Sequence, residues 1–205
     1  MSPASSTGAA EPPSTTSRDG HLRAPAPQTS PLQEALAGRE TWRTPAAQLD
    51  ELAGALLAQA RLAVPGSLLL VSLPPHELAR AHDPAYRQLC SQGVVVVLLA
   101  RDLVRHVSES GREPHRVPLR GDDPLYLEWD VVLAGPDQRT GFLSRAVEED
   151  SSRLRAATHD WALLRDPEAV GRAAAALLLR TPHLQLQLPA LRPVAAPAPG
   201  ASLAS

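Results

Sequence analysis

The chain contains no lysine, one cysteine and few aromatic residues, and each shortage excludes a kind of protein. All 20 basic residues are arginines, so the chain cannot form a Schiff base through lysine or supply the lysine of a phosphate-binding P-loop. A single cysteine excludes an internal disulfide framework. Together with 43% apolar and 3% aromatic residues, these shortages indicate an intracellular, mostly globular protein.

Charge and spacing exclude further classes. The 22 acidic residues outnumber the basic ones by two, which argues against the strongly basic surface, with a domain pI above about 9, of a nucleic-acid-binding protein. No apolar run approaches the roughly 18 to 20 residues that cross a bilayer, so no membrane partner is expected. The seven histidines lack metal-ligand spacing, and the glycine-rich phosphate-binding patterns are absent, so we expect no metal site.

The composition divides the chain into three parts. Residues 1–43 and 182–205 are rich in proline, alanine and small residues, and they have too little apolar surface to offset the entropy lost on folding. We predict that both are disordered and that residues 44–181 form a single domain. The first segment lacks the basic start and apolar run of a secretory signal, so we expect a cytoplasmic protein.

The first half of the domain predicts a strand, a helix and a second parallel strand. Thr44 is suited to cap a first helix with Pro45 at its first position. The apolar runs 67–73 and 94–100 are typical of buried strands. Between them, Asp83 and Pro84 indicate a helix start. A strand, helix and strand at this spacing predict a right-handed parallel crossover.

The second half predicts more strands and a closing helix. Strands are expected over residues 115–119, 125–134, 140–147 and 159–164, with an acidic loop at 148–150. Asp166 and Pro167 are suited to begin the last helix. The fold class is therefore α/β or α+β, a single domain with a layered mixed sheet flanked by helices.

The strand predicted over 125–134 carries the clearest candidate site. Its alternation places Leu125 and Trp129 on one face, and Tyr126 and Glu128 on the other. Trp129 alone is consistent with ordinary core packing. If the second face is also covered, Glu128 is a buried carboxylate that needs a partner, which makes it a pocket candidate.

A second candidate site lies where the two parallel strands end. His76 follows the first strand and Asp102 the second, and ligands of parallel α/β sheets bind at this edge. A small hydrolase or transferase using these two residues is therefore the alternative function. The favoured interpretation of His76 is nevertheless a simple loop or helix-entry residue after Pro74-Pro75, and that of Cys90 is a small core residue.

The order of several segments resembles the DICT sensory domain. The resemblance rests on Asp-Pro-Leu-Tyr-Leu-Glu-Trp-Asp-Val-Val-Leu-Ala-Gly at 123–135, the strand at 140–147, His-Asp-Trp at 159–161 and the helix opening at 166–170. Upstream, Ala-Tyr-Arg-Gln-Leu at 85–89 is similar to a Tyr-Arg-x-Leu helix of that family. The match covers about residues 46–180. One departure is Ser72-Leu73, where the family tends to carry Phe-Gln.

The resemblance implies a non-catalytic sensory module of the type found with diguanylate cyclases and two-component systems, mainly of actinobacteria and cyanobacteria. Such a stand-alone module would bind a small ligand or a signalling protein partner and relay a signal through protein contacts. Its cofactor, if any, is not defined, and no catalytic residue is expected. The candidate ligand-binding residues are Glu128, Trp129, Tyr126, His76 and Tyr86.

Two further interpretations stay open at this point. A scaffold without any ligand is consistent with the same composition. The alternating leucines at 184, 186 and 188 suit a strand that adds to a sheet edge, either of a partner or of the same domain. They also suit a segment that docks on its own domain or stays loose.

Overall fold

The computed structural model describes Ser30, residues 41–147 and residues 158–184. The strands are β1 (Trp42–Pro45), β2 (Leu68–Ser72), β3 (Val95–Ala100), β4 (His115–Pro118), β5 (Asp130–Ala134), β6 (Arg139–Ala146) and β7 (Thr158–Leu164). The α-helices are α1 (Ala46–Ala60), α2 (Pro84–Ser91) and α3 (Pro167–Leu178), and two 3₁₀ helices cover Pro75–His82 and Pro124–Leu127.

The strands form one mixed sheet in the order β1-β7-β6-β5-β2-β3-β4. Strand β2 pairs with β3, and β3 with β4, in parallel. The pairs β2–β5, β5–β6, β6–β7 and β7–β1 are antiparallel. Helices flank the sheet on both faces. The predicted fold class, a mixed sheet flanked by helices, is confirmed.

The parallel crossover from β2 through α2 to β3 is also confirmed. Both strands are almost wholly apolar because both of their faces are covered, as expected for parallel strands. Asp83 caps α2 by accepting a hydrogen bond from the Ala85 amide. Gly93, with a φ of +86°, allows the turn into β3.

The two faces of the sheet carry different helices. The first, here called the α1 face, packs α1, α2 and the first 3₁₀ helix against residues such as Leu69, Val71 and Trp129. The second, the α3 face, packs α3 against residues such as Leu70 and Val132. Side chains alternate between these two cores along each strand.

Two predictions about the start of the domain are wrong. Thr44 does not cap α1; it lies in β1, and Pro45 occupies the cap position without a side-chain hydrogen bond. Edge strand β1 begins at Trp42, so two residues of the segment predicted to be disordered pair with β7. Pro45 is tolerated here because the outer side of an edge strand forms no sheet hydrogen bonds, so the N–H that proline lacks is not needed.

The strand predicted over 125–134 is only half correct. Pro124–Leu127 form a 3₁₀ helix, and β5 begins at Asp130. Asp123 causes the difference, because its carboxylate accepts a hydrogen bond from the Leu125 amide and caps the turn. As a result Leu125 lies in the α3-face core and not beside Trp129.

Two sequence predictions fall on residues outside the described ranges. These are the acidic loop at 148–150 and most of the leucine alternation after Leu184. Leu184 itself is described, and it packs against the α3-face core. Among the described residues, no helix is long and apolar enough to span a membrane.

Candidate functional site

Glu128 and Trp129 lie at the centre of the sheet, just before β5, and both are fully buried. Trp129 contributes to the α1-face core, whereas Glu128 lies beside Asp130, on the α3 face. The two side chains therefore lie on opposite faces of the sheet, as predicted. This arrangement places them in two separate environments, and one ligand cannot contact both in this structure.

On the α1 face, Trp129 is held by an aromatic ring and a cation. The Phe142 ring meets it edge to face, with ring centroids 6.0 Å apart. The Arg80 guanidinium lies 5.4 Å from the centroid of the Trp129 ring, within the range of a cation–π interaction. Arg80 also forms ion pairs with Glu77 and Asp50, so its position is fixed from two sides.

His76 and Tyr86 belong to the same neighbourhood as Trp129. His76 lies in the first turn of the Pro75–His82 helix, with Nε2 3.7 Å from Glu77 Oε1. Tyr86 is buried on α2 and interacts electrostatically with Arg80. Burial raises the pKa of the Tyr86 phenol, so it stays a neutral hydroxyl. Three of the five predicted residues thus share one region.

A serine and a histidine that the sequence did not single out connect this region to β7. Ser144 on β6 donates a hydrogen bond through Oγ to the Trp129 carbonyl at 2.7 Å. Ser144 Oγ also lies 3.5 Å from His159 Nδ1. Burial, assisted by the nearby His76, lowers the pKa of His159 to about 4. Among the described residues, His159 Nε2 has no hydrogen-bond partner.

On the α3 face, Glu128 and Asp130 form a buried carboxyl pair. Asp130 Oδ1 accepts a hydrogen bond from the Ser144 amide at 3.1 Å, and Ser72 Oγ donates to the Glu128 carbonyl at 2.7 Å. Burial, followed by the nearby charge of Glu128, raises the pKa of Asp130 well above its usual range. The pair therefore retains a proton at pH values where exposed carboxyls have lost theirs.

A buried ion pair adjoins these carboxyls. Arg180 Nε contacts both Asp123 oxygens at 3.1 Å, and both side chains are only 3% exposed. Arg180 Nη1 also donates to the Ala176 carbonyl at 2.8 Å. The charge of Arg180 acts on Asp130 as well, since it opposes the rise of the Asp130 pKa. Arg180 thus interacts with two buried carboxyls, Asp123 directly and Asp130 through its charge.

The remaining predicted residues lie outside these two regions. Tyr126 is half-buried, and the Arg101 guanidinium lies 5.1 Å from its ring centroid. Asp102 is exposed in the loop after β3. The alternative function, which uses His76 and Asp102, stays a hypothesis.

An open groove lies at the opposite end of the sheet, on the β1 and β7 edge. It has a volume of about 610 Å³ and is lined by Trp42, Trp161, Leu163, Arg165 and Asp166. The two indole rings are tilted by 44°, with centroids 5.2 Å apart, and Trp42 is 43% exposed. This site was not predicted from the sequence, because Trp42 falls in the segment predicted to be disordered and Trp161 was quoted only as part of the resemblance.

A second depression of about 380 Å³ extends this groove along α1. It shares Leu163 and Arg165 with the first, and Arg139 and Thr140 of β6 complete its floor. The two depressions are neighbours that share Leu163 and Arg165. We call them together the edge groove.

The described residues contain no group of three His, Cys, Asp or Glu side chains suited to hold a metal ion. No protein-family model, curated protein or solved structure matches this chain. The resemblance to the DICT sensory domain therefore stays a hypothesis based on the quoted residues.

Proposed function

We propose that this chain is a non-catalytic sensory module that binds a small ligand or a signalling protein and responds by repacking around Glu128, Trp129 and Asp130. The observation that carries this proposal is the group of buried titratable side chains around one point of the sheet. Buried charges cost stability unless they are paired, and an apolar core of similar volume is often as stable or more so. Their concentration at one point favours a functional role over a purely structural one.

The two faces at this point respond to different changes. On the α3 face, the protonation of Asp130 depends on the neighbouring Glu128 and on the charge of Arg180, which is paired with Asp123. On the α1 face, Trp129 is held between Phe142 and Arg80. A displacement of β5 would alter both sets of contacts at once, and we propose β5 as the two-state element that a sensor requires.

A short series of neighbouring residues joins this central point to the edge groove. Trp161 and His159 are two residues apart on β7 and lie on the same face of the sheet. His159 touches Ser144, and Ser144 bonds the Trp129 carbonyl. An event at the groove therefore has a physical route of three side chains to the centre. A route of contacts becomes a signalling path only where coupling is measured.

Native mass spectrometry of the full chain purified from its own host tests the proposal. We expect a retained small molecule or a stoichiometric partner chain. We expect Glu128→Gln and Trp129→Phe to lose it, because the first removes a titratable carboxyl at nearly constant volume and the second removes the indole that contacts Phe142 and Arg80. Asp122→Asn, an exposed acid in the preceding turn, is the matched control and should retain it.

Two results would contradict this function. The first is a bare chain in every preparation. The second is a reaction turned over by the purified protein and abolished by His76→Ala and Asp102→Asn, which would support the alternative enzyme.

A further inference from the structure

We propose that the edge groove binds a small planar aromatic molecule that carries an anionic group. This inference rests on the proposed function, since it assigns the class of ligand and the place where it binds. It uses residues that the sequence did not mark as a site.

The aromatic content of the chain supports the planar part of the ligand. The chain has only three tryptophans, two tyrosines and one phenylalanine. Trp42, 43% exposed, nevertheless meets Trp161 at an open edge, where Trp161 is half-buried against the α1-face core. An exposed indole ring offers a large flat contact area at a small loss of conformational entropy. A ring system inserted against Trp42 would cover apolar surface that water now contacts.

The size of the groove supports a small molecule. Its wider part, about 610 Å³, falls within the roughly 300 to 1,000 Å³ of typical ligand sites. Leu163 and the Leu56 side chain of α1 continue the apolar lining into the second part. The groove therefore has room for a ring system at the tryptophans and a polar group farther along.

The charges in the groove support the anionic part of the ligand. Arg165 is exposed, lines both parts of the groove and forms no ion pair with any described residue. Arg139 adds a second cation at the far end. The one carboxylate in the lining, Asp166, accepts hydrogen bonds from the Glu168 and Ala169 amides as the cap of α3. An arginine guanidinium without a carboxylate partner is a good receptor for a carboxylate, sulfonate or phosphate.

A matched pair of fluorescent probes tests both parts of the inference. Anilinonaphthalene sulfonate carries rings and an anionic group, and N-phenylnaphthylamine carries similar rings without the charge. We expect one sulfonate probe bound per chain. The uncharged probe should bind about fivefold or more weakly, because it lacks the contact with Arg165.

Variants separate the two contributions. Trp42→Ala should weaken binding of both probes about tenfold or more, whereas Trp42→Phe should restore most of it. Arg165→Gln should weaken the sulfonate probe about fivefold and leave the uncharged probe unchanged. Val104→Ala and Arg105→Gln, which change exposed side chains away from the groove, are the matched controls and should change neither. Competition by naphthoate and by naphthyl phosphate then distinguishes a carboxylate ligand from a phosphate.

The inference is overturned if Trp42→Ala leaves probe binding intact, or if Arg165→Gln weakens both probes equally. It is also overturned if the chain is a dimer that Trp42→Ala dissociates, because a second copy then covers the groove. A ligand retained from the host by the Trp42→Ala protein would remove the groove from consideration while leaving the proposed function in place.

Discussion

The centre and the edge of the sheet differ in the solvent exposure of their polar and aromatic side chains. At the centre, Trp129 and three carboxyls are sealed from solvent and held by Arg80 and Arg180. At the edge, Trp42 and Arg165 remain open to solvent in a groove. In the function that we propose, this difference corresponds to two tasks: the edge receives the ligand, and the buried charges at the centre respond to it.

The largest effect should come from breaking the buried ion pair at the centre. Arg180→Met leaves Asp123 buried without its cation, which costs about 3 to 5 kcal/mol in the free energy of unfolding. Urea unfolding measures this loss. Arg172→Met is the matched control, because its exposed pair with Glu168 is worth less than about 1 kcal/mol. Equal losses of unfolding free energy in the two variants would show that the buried ion pair at the centre matters no more than an exposed one.

The next effect concerns His159 and appears as a dependence on pH. Its folded-state pKa of about 4 lies below the ordinary 6.5, so only the unfolded chain takes up this proton as the pH falls between these values. The folded state therefore loses stability over that window, by up to about 3 kcal/mol. His159→Gln should flatten this loss in urea unfolding, whereas His82→Gln, at an exposed site, should not. Parallel pH profiles for wild type and His159→Gln would refute the expectation.

A smaller effect tests how tightly the central strands approach each other. A Cβ at Gly141 would lie 2.5 Å from the Val131 carbonyl oxygen, so Gly141→Ala should cost about 1 to 3 kcal/mol. Gly171 in α3 has nothing within 4 Å of such a Cβ, and Gly171→Ala should stabilise by about 0.5 to 1 kcal/mol. Thermal unfolding distinguishes the two signs. A stabilising Gly141→Ala would contradict the close packing of β5 against β6.

The smallest effect is expected at an ion pair on the edge strand. Arg43 donates to both Asp160 oxygens, at 2.8 and 3.2 Å, but both side chains are well exposed. Solvent screens such a pair, so Arg43→Gln should leave the thermal midpoint within experimental error of wild type. A shift as large as that of Arg180→Met would mean that the edge and the centre are equally dependent on their ion pairs.

The fold was predictable where local signals were strong. The continuous apolar runs marked β2 and β3, and the Asp-Pro pairs at 83–84 and 166–167 marked the starts of α2 and α3. Strand β1 was missed because it has four residues, no alternation and a proline. The error over 125–129 arose because a side-chain cap on Asp123 outweighed the alternating pattern.

The candidate site was predictable only in part. The alternation over 125–134 predicted opposite faces for Glu128 and Trp129, and both side chains are buried although β5 begins only at Asp130. Their partners were not found, since Arg180 and Ser144 lie far along the chain, and only the packing of α3 and the register of β6 bring them close. The groove depends on the antiparallel pairing of Trp42 with Trp161, across 119 residues, which no local pattern encodes.

The coupling between edge and centre is tested most directly by backbone NMR of the full chain, with and without anilinonaphthalene sulfonate. We predict that the probe shifts the amide resonances of Trp129 and Ser144 as well as those around Trp42 and Trp161, and that Ser144→Ala abolishes the shift at Trp129 while the probe stays bound. Shifts confined to the groove residues, with the centre unchanged, would contradict the coupling.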